Sequence, residues 1–312
     1  MIKRYSIVKR EVVQIQNDPI QIQVFINPDE GEMKVLAEQY KIHEHSINSS
    51  MDPQELGRIE FTKEHIAMIL KTPKSYSSED DFIFKIKSFG LFVFKDMLIV
   101  LLAEDFPLFE TNNFNKVGNL KDVILKLIFQ SISHFEGHLK VINMCSDDIE
   151  KDLNTSMTNQ QLLNMFKIEK SLVFYLNAIN TNGRVIDKVK ANIEKFGFNS
   201  AQEEFLDDLA IENTQCYKTA EIYSQVLSGL MDARASVISN NLNYMMKNLN
   251  ALVISVAIPS FFAAVGGMSE FSSMIGFGNW KYGYAIFLIC MILIGIITFV
   301  IIKKTENLWK KF

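Results

Sequence analysis

Disulfides are the first thing this sequence cannot rely on. It holds three cysteines in 312 residues, an odd number. Cys145, Cys216 and Cys290 lie far apart and the last sits inside an uncharged run, so free thiols in a reducing compartment are expected. There is no glycine-rich phosphate loop, no dinucleotide-binding turn and no helix-borne HExxH, which removes the usual cradles for ATP-driven transport and zinc hydrolysis. No enzyme and no nucleotide partner is expected. Blocks of Lys and Arg interleaved with aromatics are missing too, and the net charge is only -4, so nucleic-acid binding has no support.

Charge itself nearly disappears between Asn248 and Ile302. Ala251 to Gly267 carries no charged side chain, and Tyr282 to Ile302 gives 21 more uncharged residues. A bilayer core needs roughly 20 apolar residues of helix, and transmembrane helices tolerate a proline such as Pro259. Two membrane spans are therefore expected, joined by the short segment Met268 to Lys281, with both chain ends on one side. Lys247 precedes the first span and Lys303, Lys304, Lys310 and Lys311 follow the second, against Lys281 alone between them. The positive-inside rule puts both ends in the cytoplasm of an inner or plasma membrane. The opening residues, MIKRYSIVKREVVQIQNDP, have no continuous apolar core, so about the first 245 residues are expected to stay cytoplasmic.

The remaining chain divides by its periodicity. Residues 1–115 mix short β-branched and aromatic runs with helical pieces and read as a cytoplasmic α/β domain. LFVF and MLIVLL, split by Lys95 and Asp96, read as a hairpin. Residues 116–200 read as a cytoplasmic helical region: Val123, Leu127, Ile128, Ser131, Ile132 and Phe135 recur at helical spacing. A second helix is expected to end at the turn signal Asn180-Thr-Asn-Gly183. His134 and His138 stand four apart on the first of these helices with no third ligand at fitting spacing, so they read as solvated histidines. Residues 201–267 contain no proline before Pro259 and one interior glycine, Gly229, until Gly266. They read as one stalk helix passing into the first span; 268–281 form an extracytoplasmic loop, 282–302 the second span and 303–312 a basic tail. So long a helix needs copies of itself to pack against, and an oligomer in a lipid bilayer is expected.

The segment from Ser228 to Asn250, SGLMDARASVISNNLNYMMKNLN, followed by Pro259 and then Gly267-Met268-Ser269, resembles the stalk and first span of the CorA family of magnesium transport proteins. Asp52 to Pro73, DPQELGRIEFTKEHIAMILKTP, is similar to a cytoplasmic segment of that family. The resemblance implies an α+β membrane protein: a funnel-shaped homopentamer, an N-terminal α/β/α domain, long stalks continuing into pore-lining first spans, and second spans facing lipid. It also implies influx of Mg²⁺ gated by cytoplasmic Mg²⁺, the ion being both cargo and regulator.

Carried over by position, the resemblance makes Asn243 a ring at the cytoplasmic end of the pore, with Met246 and Leu249 as a hydrophobic gate on the same helical face. Asp232 falls at an acidic position facing the pore. Asp208 falls at an acidic position of an inter-protomer regulatory metal site, its partner expected near Glu79, Asp80 and Asp81. Gly267, Met268 and Ser269 stand where the family has Gly-Met-Asn, so Ser269 replaces the signature amide. Glu270 directly after it would add a carboxylate ring that concentrates divalent cations. The change at Ser269 keeps two alternatives open: a Zn²⁺, Co²⁺ or Ni²⁺ transporter of the same superfamily, and a non-conducting metal-sensing membrane protein.

Overall fold

The computed structural model describes residues 1–16, 19–77, 80–109, 114, 116–151, 159–267 and 280–309. The chain divides into two compact units, Met1–Met231 and Asp232–Phe312.

The first unit is built on a mixed seven-stranded sheet in the order β2-β1-β3-β7-β6-β5-β4. Its strands are β1 (Ile2–Val8), β2 (Glu11–Gln14), β3 (Ile22–Ile26), β4 (Arg58–Phe61), β5 (Ile66–Pro73), β6 (Ile86–Val93) and β7 (Leu98–Leu102). Only β3 and β7 run parallel; the other pairs are antiparallel. The expected hairpin around Lys95 and Asp96 is the β6–β7 pair, with Val93 opposite Leu98.

Central strands are buried on both faces, which is why they read as continuous apolar runs rather than as alternating ones. Alternation sorts their side chains between two cores. Leu98, Val100 and Leu102 of β7 point into the larger core, whereas Ile99 and Leu101 point into the smaller. The smaller core is closed by Leu36 of α1 (Glu30–Glu38) and Ile47 of α2 (Glu44–Met51). Helix α1 starts on a capping box: Glu32 N–H donates to Asp29 at 2.8 Å, and Asp29 N–H donates to the Glu32 carboxylate at 3.3 Å. Such reciprocal bonds satisfy donors that a helix start leaves open. Helix α2 comes so near the sheet that a Cβ at Gly90 would lie 2.2 Å from Ser50 Oγ, so β6 needs glycine there.

The larger core lies under α3 (Leu120–Lys151) and α4 (Asn159–Lys190). After the short α5 (Ile193–Phe196), Gly197 at φ 61° turns the chain, a left-handed conformation that suits glycine. The long helix α6 (Ser200–Gly266) follows. Its Leu206, Leu209, Cys216, Ala220 and Leu227 join the larger core, leaving the intervening face exposed. Helices on both sides of the sheet make the first unit the expected α/β/α arrangement.

Helix α4 passes through Asn180–Gly183 without ending, contrary to the turn expected there. The polar residues are consumed by tertiary bonds. Thr181 Oγ1 donates to Ala178 O, and the Asn182 amide bonds the backbone of Lys71. Gly183 admits Asn213, whose Nδ2 would lie 2.8 Å from a Cβ.

The second unit comprises α6 from Asp232 onward and α7 (Trp280–Trp309). Both helices are long and apolar enough to cross a membrane. The membrane-length segment of α7 is Lys281–Lys304, 24 residues, or about 36 Å of helix, which spans a bilayer core of about 30 Å. Small residues seat the two helices together. A Cβ at Gly295 would lie 3.3 Å from Pro259 Cγ and 3.3 Å from Ser255 O, and one at Gly266 would lie 2.7 Å from Phe287 Cζ.

Candidate functional site

The side of α6 facing α7 is marked by the buried Ala251 and Ser255 and by the approach of Gly295 to Ser255. Ser255 spends its hydroxyl proton on Ala251 O at 2.6 Å, which keeps that polar group satisfied among apolar neighbours. At 100° per residue, Met246 falls about 180° from Ser255, with Asn243 and Leu249 about 60° to either side and Asp232 within about 40°. All four share the side turned away from α7, and all four are exposed in the single chain. Met246 and Leu249 each keep 54% of their surface open. A strip combining a carboxylate, an amide and two large apolar side chains on one helical face is suited to line a shared axis.

Gly267 closes α6, its N–H bonding Ala263 O at 3.0 Å. Met268, Ser269 and Glu270 lie outside the described residues, as does Glu79.

Asp208 belongs to the first unit. It is exposed on α6 between Leu206 and Leu209, both of which point into the core. Its neighbour Asp207 pairs with Lys190 at 2.7 Å. Burial raises the pKa of the Glu212 carboxyl, and the negative charges of Glu136 and Asp208 raise it further. Glu212 thus stands in the negative field of one carboxylate from α3 and one from α6. The acidic residues expected to answer Asp208 are locally engaged: Asp80 accepts from Ser77 N–H at 2.8 Å, and Asp81 pairs with Lys167. Hydrogen bonds from Ser77 hold the Asp80 carboxyl below its usual range. Among the described residues, no group of three or more His, Cys, Asp or Glu side chains is gathered as a metal site.

His134 and His138 are packed rather than solvated, which corrects the sequence reading. Their rings meet edge to face at 4.8 Å; His138 Nδ1 lies 2.7 Å from the Tyr175 hydroxyl, and His134 Nδ1 lies 3.3 Å from Thr72 Oγ1. Aromatic neighbours Phe84 and Tyr175 supply the burial. That burial, together with the charges of His134 and Lys87, pushes His138 down to about 4 from 6.5. Between those values the unfolded chain binds more protons than the fold, so this histidine's contribution to stability is complete above pH 6.5 and is lost as pH falls toward 4. Replacing His138 with Gln should flatten the acid side of the stability profile, followed by chemical denaturation in detergent between pH 4 and 7. Equal slopes for the variant and the parent would exclude this origin.

A polar cluster that sequence reasoning passed over surrounds Lys71, one of the few charged side chains inside the sheet. Its ammonium donates to Asp52 O at 3.2 Å, Pro53 O at 3.1 Å and Ser88 Oγ at 2.6 Å. Burial lowers its pKa to about 8, opposed by the charges of Asp52 and Glu55. The available signal was a lysine inside the apolar run MILKTP. The cluster ties the start of the Asp52 to Pro73 segment to β5.

With this geometry in hand, similarity to known proteins becomes decisive. Residues 21–304 match the family described as CorA-like Mg2+ transporter protein. The chain belongs to that family. The Cobalt/magnesium transport protein CorA of Methanocaldococcus jannaschii is 19% identical over 296 residues, spanning 89% of this chain and 88% of the relative. The complete structure of the CorA magnesium transporter from that organism superposes with a TM-score of 0.75 at 18% identity, covering 96% of each chain. Full-length CmaX gives 0.70 at 11% identity, covering 97% of each chain. At these identities the solved structures speak for the fold: a soluble mixed sheet with helices, a long helix and two apolar helices at the C-terminal end. For this member of the CorA-like family, the strip on α6 is the candidate conduction site.

Proposed function

We propose that this protein is a homopentameric divalent-cation channel of the cell membrane that carries Mg²⁺ into the cytoplasm. The observation behind this reading is that Asp232, Asn243, Met246 and Leu249 share the exposed side of α6 opposite α7, in a chain of the CorA-like family. Copies of one chain around an axis turn each such residue into a ring. Mg²⁺ gives up its water reluctantly. Asn243 carbonyl groups would accept hydrogen bonds from the hydrated ion, and the Met246 and Leu249 rings would close the path by dewetting. At the outer mouth, Ser269 and Glu270 would jointly replace the missing amide, the hydroxyl holding the water shell and the carboxylate gathering cations.

Cytoplasmic Mg²⁺ would act as the regulator by binding between Asp208 of one protomer and acidic groups of the next, holding the stalks together while the ion is plentiful. Both chain ends would lie in the cytoplasm.

Uptake by proteoliposomes holding the purified full chain, with a Mg²⁺ dye inside and a parallel Zn²⁺ assay, tests the reading. Mg²⁺ entry that falls when internal Mg²⁺ is raised is expected. Glu270→Gln should lower uptake several-fold at low external Mg²⁺ and less at saturation, because a mouth charge acts on local ion concentration. Unchanged uptake at both concentrations would remove Glu270 from the mouth. Ser269 is the one feature favouring a Zn²⁺, Co²⁺ or Ni²⁺ transporter, which Zn²⁺ entry without Mg²⁺ entry would reveal; metal binding without flux would mark a non-conducting sensor.

A further inference from the structure

The soluble unit contains a cavity of about 360 Å³ that conduction does not use. It lies where β5, β6 and α3 meet the segment carrying Phe106 and Leu108. Into it comes Lys87, only 7% exposed, with its ammonium 3.5 Å from the centre of the Phe106 ring. Among the described residues, that ammonium has no hydrogen-bond acceptor and no paired carboxylate. The nearby Glu104 is taken by Lys74 at 2.7 Å. The Lys87 stem is thus buried while its ammonium faces the cavity, where its N–H donors are free to meet an anion.

The walls indicate what would complete it. Thr72, Gln130 and Ser133 supply polar groups beside Lys87, while Phe106 and Leu127 provide apolar surface. Small-molecule sites combine an apolar wall with a few converging polar groups at volumes starting near 300 Å³. Glu104 tempers the Lys87 charge without bonding it, so the cavity suits an anion of a single charge. A phosphate dianion would bring a second into a cavity whose neighbour Glu104 already repels it.

We propose that this cavity binds a small organic monocarboxylate, its carboxylate on Lys87 Nζ and the neighbouring polar groups, its apolar body against Phe106 and Leu127. Burial already lowers the Lys87 pKa to about 8, and a bound carboxylate would raise it again.

Equilibrium dialysis of radiolabelled benzoate against the full chain in detergent tests the site. Saturable binding in the millimolar range or tighter is expected, displaced by hexanoate and not by the neutral isostere benzamide. Lys87→Met keeps the length and apolar stem of the side chain and should weaken benzoate binding at least about tenfold, the equivalent of 1.4 kcal/mol. Absence of saturable binding to the parent chain would overturn the proposal, and so would equal competition by benzamide, which needs no variant to be measured. Unchanged affinity in a folded Lys87→Met chain would remove Lys87 from the site. Displacement of benzoate by inorganic phosphate at lower concentration than by hexanoate would overturn the monocarboxylate class.

Discussion

Replacing Asn243 with Leu should reduce Mg²⁺ uptake into proteoliposomes at least about tenfold, the equivalent of raising the barrier by 1.4 kcal/mol. Asn243 lies on the face of α6 opposite α7, three residues before Met246 and six before Leu249. In a ring of protomers, the change removes every amide that could accept hydrogen bonds from the ion's water shell and extends the apolar constriction by a helical turn. A hydrated divalent ion meeting such a constriction must shed water with no replacement ligand. Leu is close to Asn in size and is a better helix former, so the helix and the assembly should persist, as size measurement of the detergent complex would show. Asn243→Asp is the informative companion: its carboxylates bind the shell more strongly, so uptake should persist with a stronger preference for divalent over monovalent cations. Full uptake by an assembled Asn243→Leu protein would remove this residue from the pathway.

The second large effect concerns stability. Strand β4 covers β5 only from Ile66 to Ile69, so beyond that point the outer edge of β5 has no strand beside it among the described residues. Asn182 of α4 takes the place of the missing neighbour. Its Oδ1 accepts from Lys71 N–H at 2.8 Å, its Nδ2 donates to Lys71 O at 2.8 Å, and Nδ2 also reaches Ser131 Oγ at 3.2 Å. The side-chain amide reproduces what a peptide group would offer. Asn182→Leu would fill the same space and leave a buried N–H with no partner. Each orphaned buried group costs about 1–3 kcal/mol, so a loss of about 3 kcal/mol is expected, near the top of what single substitutions do. For a unit of this size that is a fall of roughly 10 °C in the unfolding midpoint, measurable by circular dichroism of the full chain in detergent. A midpoint within 2 °C of the parent's, about what the loss of 1 kcal/mol would give, would show the pairing to be dispensable.

Asn182 also shows where reading the sequence stops. The quartet Asn180-Thr-Asn-Gly183 carries every local sign of a turn, because short polar side chains compete with the backbone for hydrogen bonds. What overrides the signal is a strand edge more than a hundred residues earlier in the chain. The histidines follow the same logic: four-residue spacing shows that His134 and His138 share a helical face, but that Tyr175 and Phe84 would close over that face depends on α4 and the segment before β6 packing against α3. Lys71 goes unnoticed in the sequence inside an apolar run, and only the carbonyls of Asp52 and Pro53 reveal its role as a tie. In each case a polar side chain found its partner through a contact distant in sequence.

The features legible in the sequence are those that depend on period and composition alone. Two uncharged runs of membrane length, the basic residues flanking them, the β6–β7 hairpin, the long helix α6 and the family likeness of Ser228 to Asn250 follow from the order of residues, because bilayer thickness and helix pitch are fixed quantities. Tertiary structure alone decided which side of α6 is occupied by α7, and so that Asp232, Asn243, Met246 and Leu249 remain on the free side. It decided equally that Lys87 borders a cavity with no carboxylate paired to it among the described residues. Periodicity tells which residues share a face, while what that face meets is settled only when distant segments pack.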